Sequence, residues 1–322
     1  MAIAQIYSRQ KKNLSRIEEQ LKMSVASEHR YIEQAALDLI DAGGKRIRPL
    51  LTLLAARFGD PQRTEVLDAA VALELIHMAS LIHDDVVDNS DLRRGKPTVK
   101  ARWDNRFAMF TGDFIFSRAI ERISHFQSVP AHRQISKVIC ELSLGEIDQI
   151  RALFQPDQNL RCYLRRIKRK TALLMALSCQ LGALAAGCDE RLARRLYYFG
   201  YFLGMSYQIT DDVLDMTGNA KQLGKPAGSD LRNGNLTLPT LFAIYDNEEL
   251  CNRVSKALAD VKHADWPAVI TGIVESNALC RAQRLSDLYL RKAEAMLAQL
   301  PSDNHATREL REIANYIGRR KK

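Results

Sequence analysis

Six long stretches of this 322-residue chain carry apolar residues three and four positions apart: Leu50–Phe58, Glu65–Ile82, Met109–Phe126, Ile135–Phe154, Tyr163–Ala186 and Leu192–Met216. That spacing gathers apolar side chains on one face of an α-helix, whereas a half-buried strand needs alternation. No stretch alternates convincingly, and no hairpin is evident. Only 16 glycines and 9 prolines interrupt the pattern, which favours long helices over a turn-rich β fold. The breaks fall at Gly59–Pro61, Gly95–Pro97, Ser128–Pro130, Gln155–Asp157, Gly187–Asp189 and Gly218–Gly234. The last is the longest, and its charges and glycines suit a loop over a site. Weaker helices follow, with a break at Ala264–Pro267. No internal repeat is visible. Hydrophobic residues make up 46% of the chain, enough for a sizeable core. The expectation is an all-α fold in one domain over residues 1–322.

The longest apolar run, TALLMALSCQLGALAAG at 171–187, contains Thr, Ser and Gln and is short for a membrane span. A buried core helix is the better reading; its small residues suit close packing in the core or a homodimer face. The N-terminal MAIAQIYSRQKKN lacks the apolar centre of a secretion signal. None of the six cysteines forms a CxxC pair, so they are expected to be reduced, in the cytoplasm. The net charge of +9 is spread out, with clusters at Arg161–Lys170 and at the C-terminus, and no nucleic-acid motif accompanies it. Anionic substrates or a membrane surface are the expected partners, and nucleic acid is not. The tail YIGRRKK (316–322) either closes over a diphosphate or stays a solvated basic end near anionic lipid; the second is preferred.

At the end of the apolar stretch VALELIHMASLI stands HDDVVDNSDLRRG (83–95), with Asp84, Asp85, Asp88 and Asp91. Asp84 and Asp88 are four apart and share a helix face. The pattern returns as DDVLD at 211–215, again at the end of an apolar helix, where Asp211 and Asp215 share a face. Like charges one turn apart weaken a helix, and partial burial raises the cost unless a cation sits there. Carboxylate oxygens without nearby cysteine suit Mg²⁺ or Mn²⁺. Mg²⁺ takes few carboxylates and leaves room for water and phosphate oxygens, so two facing clusters would bind a diphosphate through bridging metals. One such motif alone is as often ordinary surface; the repetition favours the metal. Asp85, Asp91 and Asp212 point off the shared faces and are weaker candidates.

The cations fall into sets. GGKRIRP (43–49) places Lys45 and Arg48 after two glycines, at a helix that starts near Pro49, where backbone amides also receive phosphate. Taken alone, a basic loop is the better reading. Arg93 and Arg94 either neutralise the aspartates or each grip a separate diphosphate. Lys170-Thr171, Gln208 and Lys225 form a further polar set; Thr171 opens an apolar helix. His77 lies seven residues before Asp84, on roughly its face, although a histidine on an apolar face is most often a satisfied core residue. His83-Asp84 is similar to the His-Asp pair of metal phosphohydrolases, but the seven histidines are too scattered to support that reading.

Taken together, GGKRIRP (43–49), ELIHMASLIHDDVVDNSDLRRGKPT (74–98), TGDF (111–114), GEIDQ (145–149), YLRRIKRKTALL (163–174), GMSYQITDDVLD (204–215), LGKPAGSD (223–230) and LTLP (236–239) resemble the trans-polyprenyl diphosphate synthases. The resemblance covers about residues 30–240, and the details are most similar to the catalytic large subunit of two-subunit bacterial members. It implies an isoprenoid synthase helical bundle around a deep central cavity. It implies that Asp84, Asp88 and Asp211 bind two or three Mg²⁺ ions, with Asp85, Asp212 and Asp215 supporting. Arg93, Lys170 and Lys225 would hold the allylic diphosphate, and Lys45, Arg48, His77 and Arg94 isopentenyl diphosphate. Thr171 and Gln208 would flank the allylic cation. Asn235 stands where the family often has a lysine. The implied partner is a small regulatory subunit, or a second copy in a homodimer, with peripheral membrane contact through a lipid product.

The implied reaction is head-to-tail condensation, with the departing diphosphate as the base. Ser80 and Ala79 lie four and five residues before Asp84, one helical turn, and Ile76 lies eight before. A turn rises ~5.4 Å, close to an isoprene unit, so a bulky residue at 79 or 80 would end growth early. Small Ala79 and Ser80 predict a medium-to-long product of seven units, suited to a respiratory quinone side chain. The rivals are a shorter-chain farnesyl or geranylgeranyl synthase, which Ala79 and Ser80 oppose, and a terpene cyclase, which needs no second prenyl site and so no GGKRIRP, His77 or Arg94. A non-catalytic partner subunit would have no use for two intact aspartate clusters.

Overall fold

The computed structural model describes residues 2–218, 226–301 and 305–318. Helices α1 (Ala2–Ser24), α2 (Arg30–Asp41), α3 (Ile47–Ala56), α4 (Thr64–Val87), α5 (Val99–Arg102), α6 (Asn105–Ser124), α7 (Val129–Ala152) and α8 (Leu160–Ile167) fill the first half. A five-residue π turn, Lys168–Ala172, joins α8 to α9 (Leu173–Ala185), followed by α10 (Glu190–Thr217). Then come α11 (Ser229–Arg232), α12 (Leu238–Asp246), α13 (Glu248–Ala259), α14 (Trp266–Glu275), α15 (Ala278–Leu297) and α16 (His305–Gly318). All six periodic stretches are helical, and the fold is all-α as expected.

One extended pairing departs from the sequence reading. Strands β1 (Leu92–Arg93) and β2 (Lys96–Pro97) form a two-residue antiparallel ladder, Arg93 opposite Lys96. Arg94 (φ +52°) and Gly95 (φ +76°) turn the chain between them. Left-handed backbone at both loop positions matches the twist of a hairpin, and glycine supplies one of them without strain. Ladders this short carry no alternation, which is why the pattern was invisible.

Backbone proximity groups the chain into two units: residues 1–137, 174–200 and 296–313, and residues 138–173, 201–295 and 314–322. The cuts fall inside α7, α9, α10, α15 and α16. In the first unit α4 is long and apolar enough to cross a membrane by length and composition, yet most of that stretch is buried in the fold. It packs against α3 and α6. Close approach is built from small residues: a Cβ on Gly182 would lie 2.2 Å from the Thr52 carbonyl, and one on Gly112 would lie 2.3 Å from His83 Nε2. The second unit closes on Tyr163, Ile167, Met205, Ile209, Leu236, Leu241 and Ile273, all buried. Each such side chain contributes about 1.5–3 kcal/mol by leaving water.

Candidate active site

In the first unit, the helix α4 carries the first aspartate cluster to its C-terminal end. Asp84 and Asp85 are buried, and Asp88, the residue capping the helix, is exposed. Asp85 accepts a forked pair of bonds from Arg93, with Nε 2.9 Å from Oδ1 and Nη2 2.7 Å from the same oxygen. Burial raises the Asp85 carboxyl above its ordinary pKa while Arg93 pulls it back. In this arrangement Arg93 pairs with Asp85. The hairpin makes this possible by folding Arg93 back on α4.

Arg94, at the hairpin tip, is exposed and reaches the GGKRIRP loop. A Cβ on Gly44 would lie 2.7 Å from its Nη1, so the guanidinium tip rests directly against this glycine. Lys45 is exposed, and its carbonyl accepts the Tyr7 hydroxyl. Arg48 is half-buried in the first turn of α3, which begins at Ile47 rather than Pro49. His77 sits within the field of these groups. Burial, then Arg48, Arg94, Arg93 and Arg46, holds its imidazole well below its ordinary pKa. A neutral imidazole among several guanidiniums is a receptive corner for a polyanion. So Lys45, Arg48, His77, Arg93 and Arg94 belong to one region of this unit. His83 instead turns its Nε2 to α6, 3.3 Å from the Met109 carbonyl and 3.3 Å from Asp113, which leaves the phosphohydrolase reading without support. On α4, Ile76 and Ala79 are buried, and the half-buried Ser80 donates its hydroxyl to the His77 carbonyl at 2.8 Å.

Arg46 escaped the sequence reading. It is buried with left-handed backbone (φ +44°). Its guanidinium bonds to both oxygens of Glu18 (2.6 and 3.1 Å), to Glu74 (2.9 Å) and to the Ile40 carbonyl (3.0 Å). It anchors the loop that presents Lys45 and Arg48. A basic triplet gives no sign of which member turns inward; Glu74, an acid inside an apolar helix, was the available hint.

In the second unit, Lys170 and Thr171 lie on the π turn, a five-residue widening between two helices rather than the start of one. Lys170 Nζ donates to Gln149 Oε1 at 3.0 Å and stands 3.9 Å from Glu146, both of the GEIDQ motif. Gly145 of that motif admits α7 closely: a Cβ there would lie 2.6 Å from Arg169 Cβ. Gly204 does the same for α10, where a Cβ would meet Ala172 Cα at 2.6 Å. One turn later Gln208 accepts the Thr171 hydroxyl at 2.7 Å. The Gln208 amide nitrogen donates to Asp212 Oδ1 at 2.9 Å. Burial and then the charge of Asp230 push the Asp212 carboxyl up to about 7. Asp211 is half-buried; Asp215 is buried and accepts the Asp230 amide at 3.2 Å. Asn235 has its amide bonded to the Asp230 carbonyl at 2.8 Å, while its buried side-chain oxygen has no hydrogen-bond partner. Lys225 lies outside the described residues.

The family model for polyprenyl synthetase matches residues 29–271, three quarters of the chain. This chain belongs to the polyprenyl synthetase family. The synthetase is 53% identical to heptaprenyl diphosphate synthase component 2 of Geobacillus stearothermophilus, covering 99% of each chain. Among solved structures it is similar to heptaprenyl diphosphate synthase from Staphylococcus aureus, with a TM-score of 0.93, 38% identity and coverage of 97% and 98%. A polyprenyl synthase from Caulobacter crescentus CB15, complexed with calcium and isoprenyl diphosphate, matches with a TM-score of 0.93, 33% identity and coverage of 100% and 98%. The synthetase is therefore a prenyltransferase.

Its carboxylates fit a hard divalent cation. Among the described residues, no three His, Cys, Asp or Glu side chains converge as a ready-made cage. Each motif offers a pair of aspartates one turn apart, a donor set for a cation that keeps several positions for water and phosphate oxygens. Asp212 is the exception within its motif, since both its oxygens already accept hydrogen bonds.

Proposed function

We propose that the synthetase adds isopentenyl diphosphate head-to-tail to an allylic diphosphate such as farnesyl diphosphate, and that its product is all-trans heptaprenyl diphosphate. The observation that carries the product length is Ala79, small and buried in α4, five residues before Asp84. The full-length likeness to a heptaprenyl synthase component supports it. The reading favours Mg²⁺, two or three ions, held by Asp84, Asp88 and Asp211, with Asp85 and Asp215 in support. When bound, the metal neutralises the diphosphate as it leaves. Lys170 and Arg93 then grip the allylic diphosphate, with Lys225 as a third cation. Lys45, Arg48, His77 and Arg94 orient isopentenyl diphosphate, and its double bond attacks the allylic carbon. Thr171 and Gln208 turn oxygen atoms toward the charge that develops there.

The "component 2" in the relative's name supports a second subunit as partner, and this reading makes it a small one. A lipid product favours a cytoplasmic enzyme touching the membrane periphery, and seven units suit a respiratory quinone side chain. The test incubates the pure chain with farnesyl diphosphate, isopentenyl diphosphate and Mg²⁺, with and without a candidate small subunit, and sizes the products. Seven-unit chains formed with the partner are expected. Products no longer than four units under all conditions would overturn the length assignment.

A further inference from the structure

We infer that Tyr163 is a positioning residue for the prenyl-transfer step, acting through Asp212 on Gln208. Tyr163 is fully buried in α8, and its hydroxyl donates to Asp212 Oδ2 at 2.7 Å. Asp212, itself buried, accepts the Gln208 amide nitrogen at 2.9 Å, and Gln208 Oε1 accepts the Thr171 hydroxyl at 2.7 Å. Four side chains from α8, the π turn and α10 thus form one chain of bonds.

With Asp212 ionised, the direction of every bond in that chain is determined. A carboxylate only accepts, so Asp212 accepts the Tyr163 hydroxyl on one oxygen and the Gln208 amide N–H on the other. The amide nitrogen of Gln208 must face Asp212, and its oxygen must face Thr171. The Thr171 proton is committed to that oxygen, which leaves the threonine lone pairs for an electron-poor carbon. A glutamine side chain without such an anchor flips its amide and presents nitrogen instead. Space filling alone needs an aromatic ring at 163 but no hydroxyl. The ring itself is held: the Arg166 guanidinium lies 5.6 Å from its centre and is tied to Gln158 Oε1 and the Leu236 carbonyl.

The role rests on the prenyl-transfer reading, in which Thr171 and Gln208 flank the allylic cation. It is tested by a double-mutant cycle on the wild-type chain with its substrates, Mg²⁺ and any required partner. Tyr163→Phe removes only the hydroxyl, and kcat is expected to fall about tenfold through misorientation, with KM for both diphosphates within about twofold. In a Gln208→Ala background the same change is expected to alter kcat by less than about twofold, because the group it orients is gone. Asp212→Asn, which keeps the side-chain shape, tests the same link independently of packing around the ring and is expected to show the same dependence on Gln208. Wild-type kcat in Tyr163→Phe, or an equal loss in both backgrounds, overturns the role. An active wild type with an additive cycle overturns this role alone; an inactive wild type overturns the reaction and the role with it.

Discussion

At position 77 an imidazole shares its surroundings with Arg46, Arg48, Arg93 and Arg94, and their field together with burial keeps it neutral. The unfolded chain has no such field, so its histidine titrates near the ordinary 6.5. Between the lowered folded pKa and 6.5 the unfolded state binds more protons. Stability is therefore intact above about pH 6.5 and is lost as the pH falls below it. His77→Gln removes the proton site, so its Tm is expected to decline less than that of the wild type between pH 7 and pH 5, by ~2–4 °C. Parallel curves for the two proteins would show that the field is absent. The aspartates stand out as candidates from spacing alone, and their test is direct. Asp84→Ala and Asp211→Ala are each expected to cut turnover by ~10²-fold or more while the melting curve keeps its cooperativity; near-normal activity in both would refute the metal assignment. Less legible were Arg46 and the Arg93–Asp85 fork, because a charge's partner is chosen by tertiary approach. The partners of Arg46 became visible only once Glu18 and Glu74 were in place, and the hairpin decided which aspartate Arg93 meets.

The helices show which sequence signals survive folding. The six periodic stretches were recovered because each is rich in buried apolar residues; in α3 and α4 burial runs almost all round, over Pro49–Ala56 and Ala69–Ile76. Helix α1 was passed over, although Ile6, Ile17 and Leu21 are buried. Its lysines, arginines and glutamates dilute the pattern between those contacts. The π turn had no signal at all, since its widened register answers to neighbours rather than to its own residues. Those neighbours are Gly145 and Gly204, which let α7 and α10 approach Arg169 and Ala172. Gly204 gives this a test. A methyl group there would meet the Ala172 backbone at 2.6 Å, so α10 must shift. Gly204→Ala is expected to cost about 1–3 kcal/mol by overpacking. The same shift stretches the Thr171–Gln208 bond, so kcat should fall with stability. Urea denaturation and steady-state rates on one preparation check both; lost stability with unchanged kcat would separate the contact from the chemistry.

For the molecule as a whole, the decisive property is how far a product grows before it meets a wall. Net charge and the absence of a nucleic-acid motif narrowed the substrate class, and the aspartate motifs narrowed the chemistry. Neither bears on length. The proposed partner subunit was equally beyond spacing arguments; it came with the family resemblance, and the name of a relative agrees with it. On the proposed reading, length is set by side-chain volume along α4, where each turn of helix rises ~5.4 Å, about one isoprene unit. Ala79 lies about one turn before Asp84, and Ile76 about two. A ring placed at 79 stands near the diphosphate end and intercepts the chain after few additions, whereas bulk at 76 acts later. Ala79→Tyr is accordingly expected to shift products from seven units to four or fewer. Ile76→Ala should leave the length unchanged or extend it. Because Ala79 is buried, tyrosine there carries an overpacking cost of about 1–3 kcal/mol, so the half-buried Ser80 provides a milder second site. Ser80→Tyr is expected to shorten the product in the same direction. Reversed-phase separation of the dephosphorylated alcohols reads the distribution, with turnover per isopentenyl unit as the internal control. Unchanged lengths in both tyrosine variants, with activity retained, would move the wall away from α4.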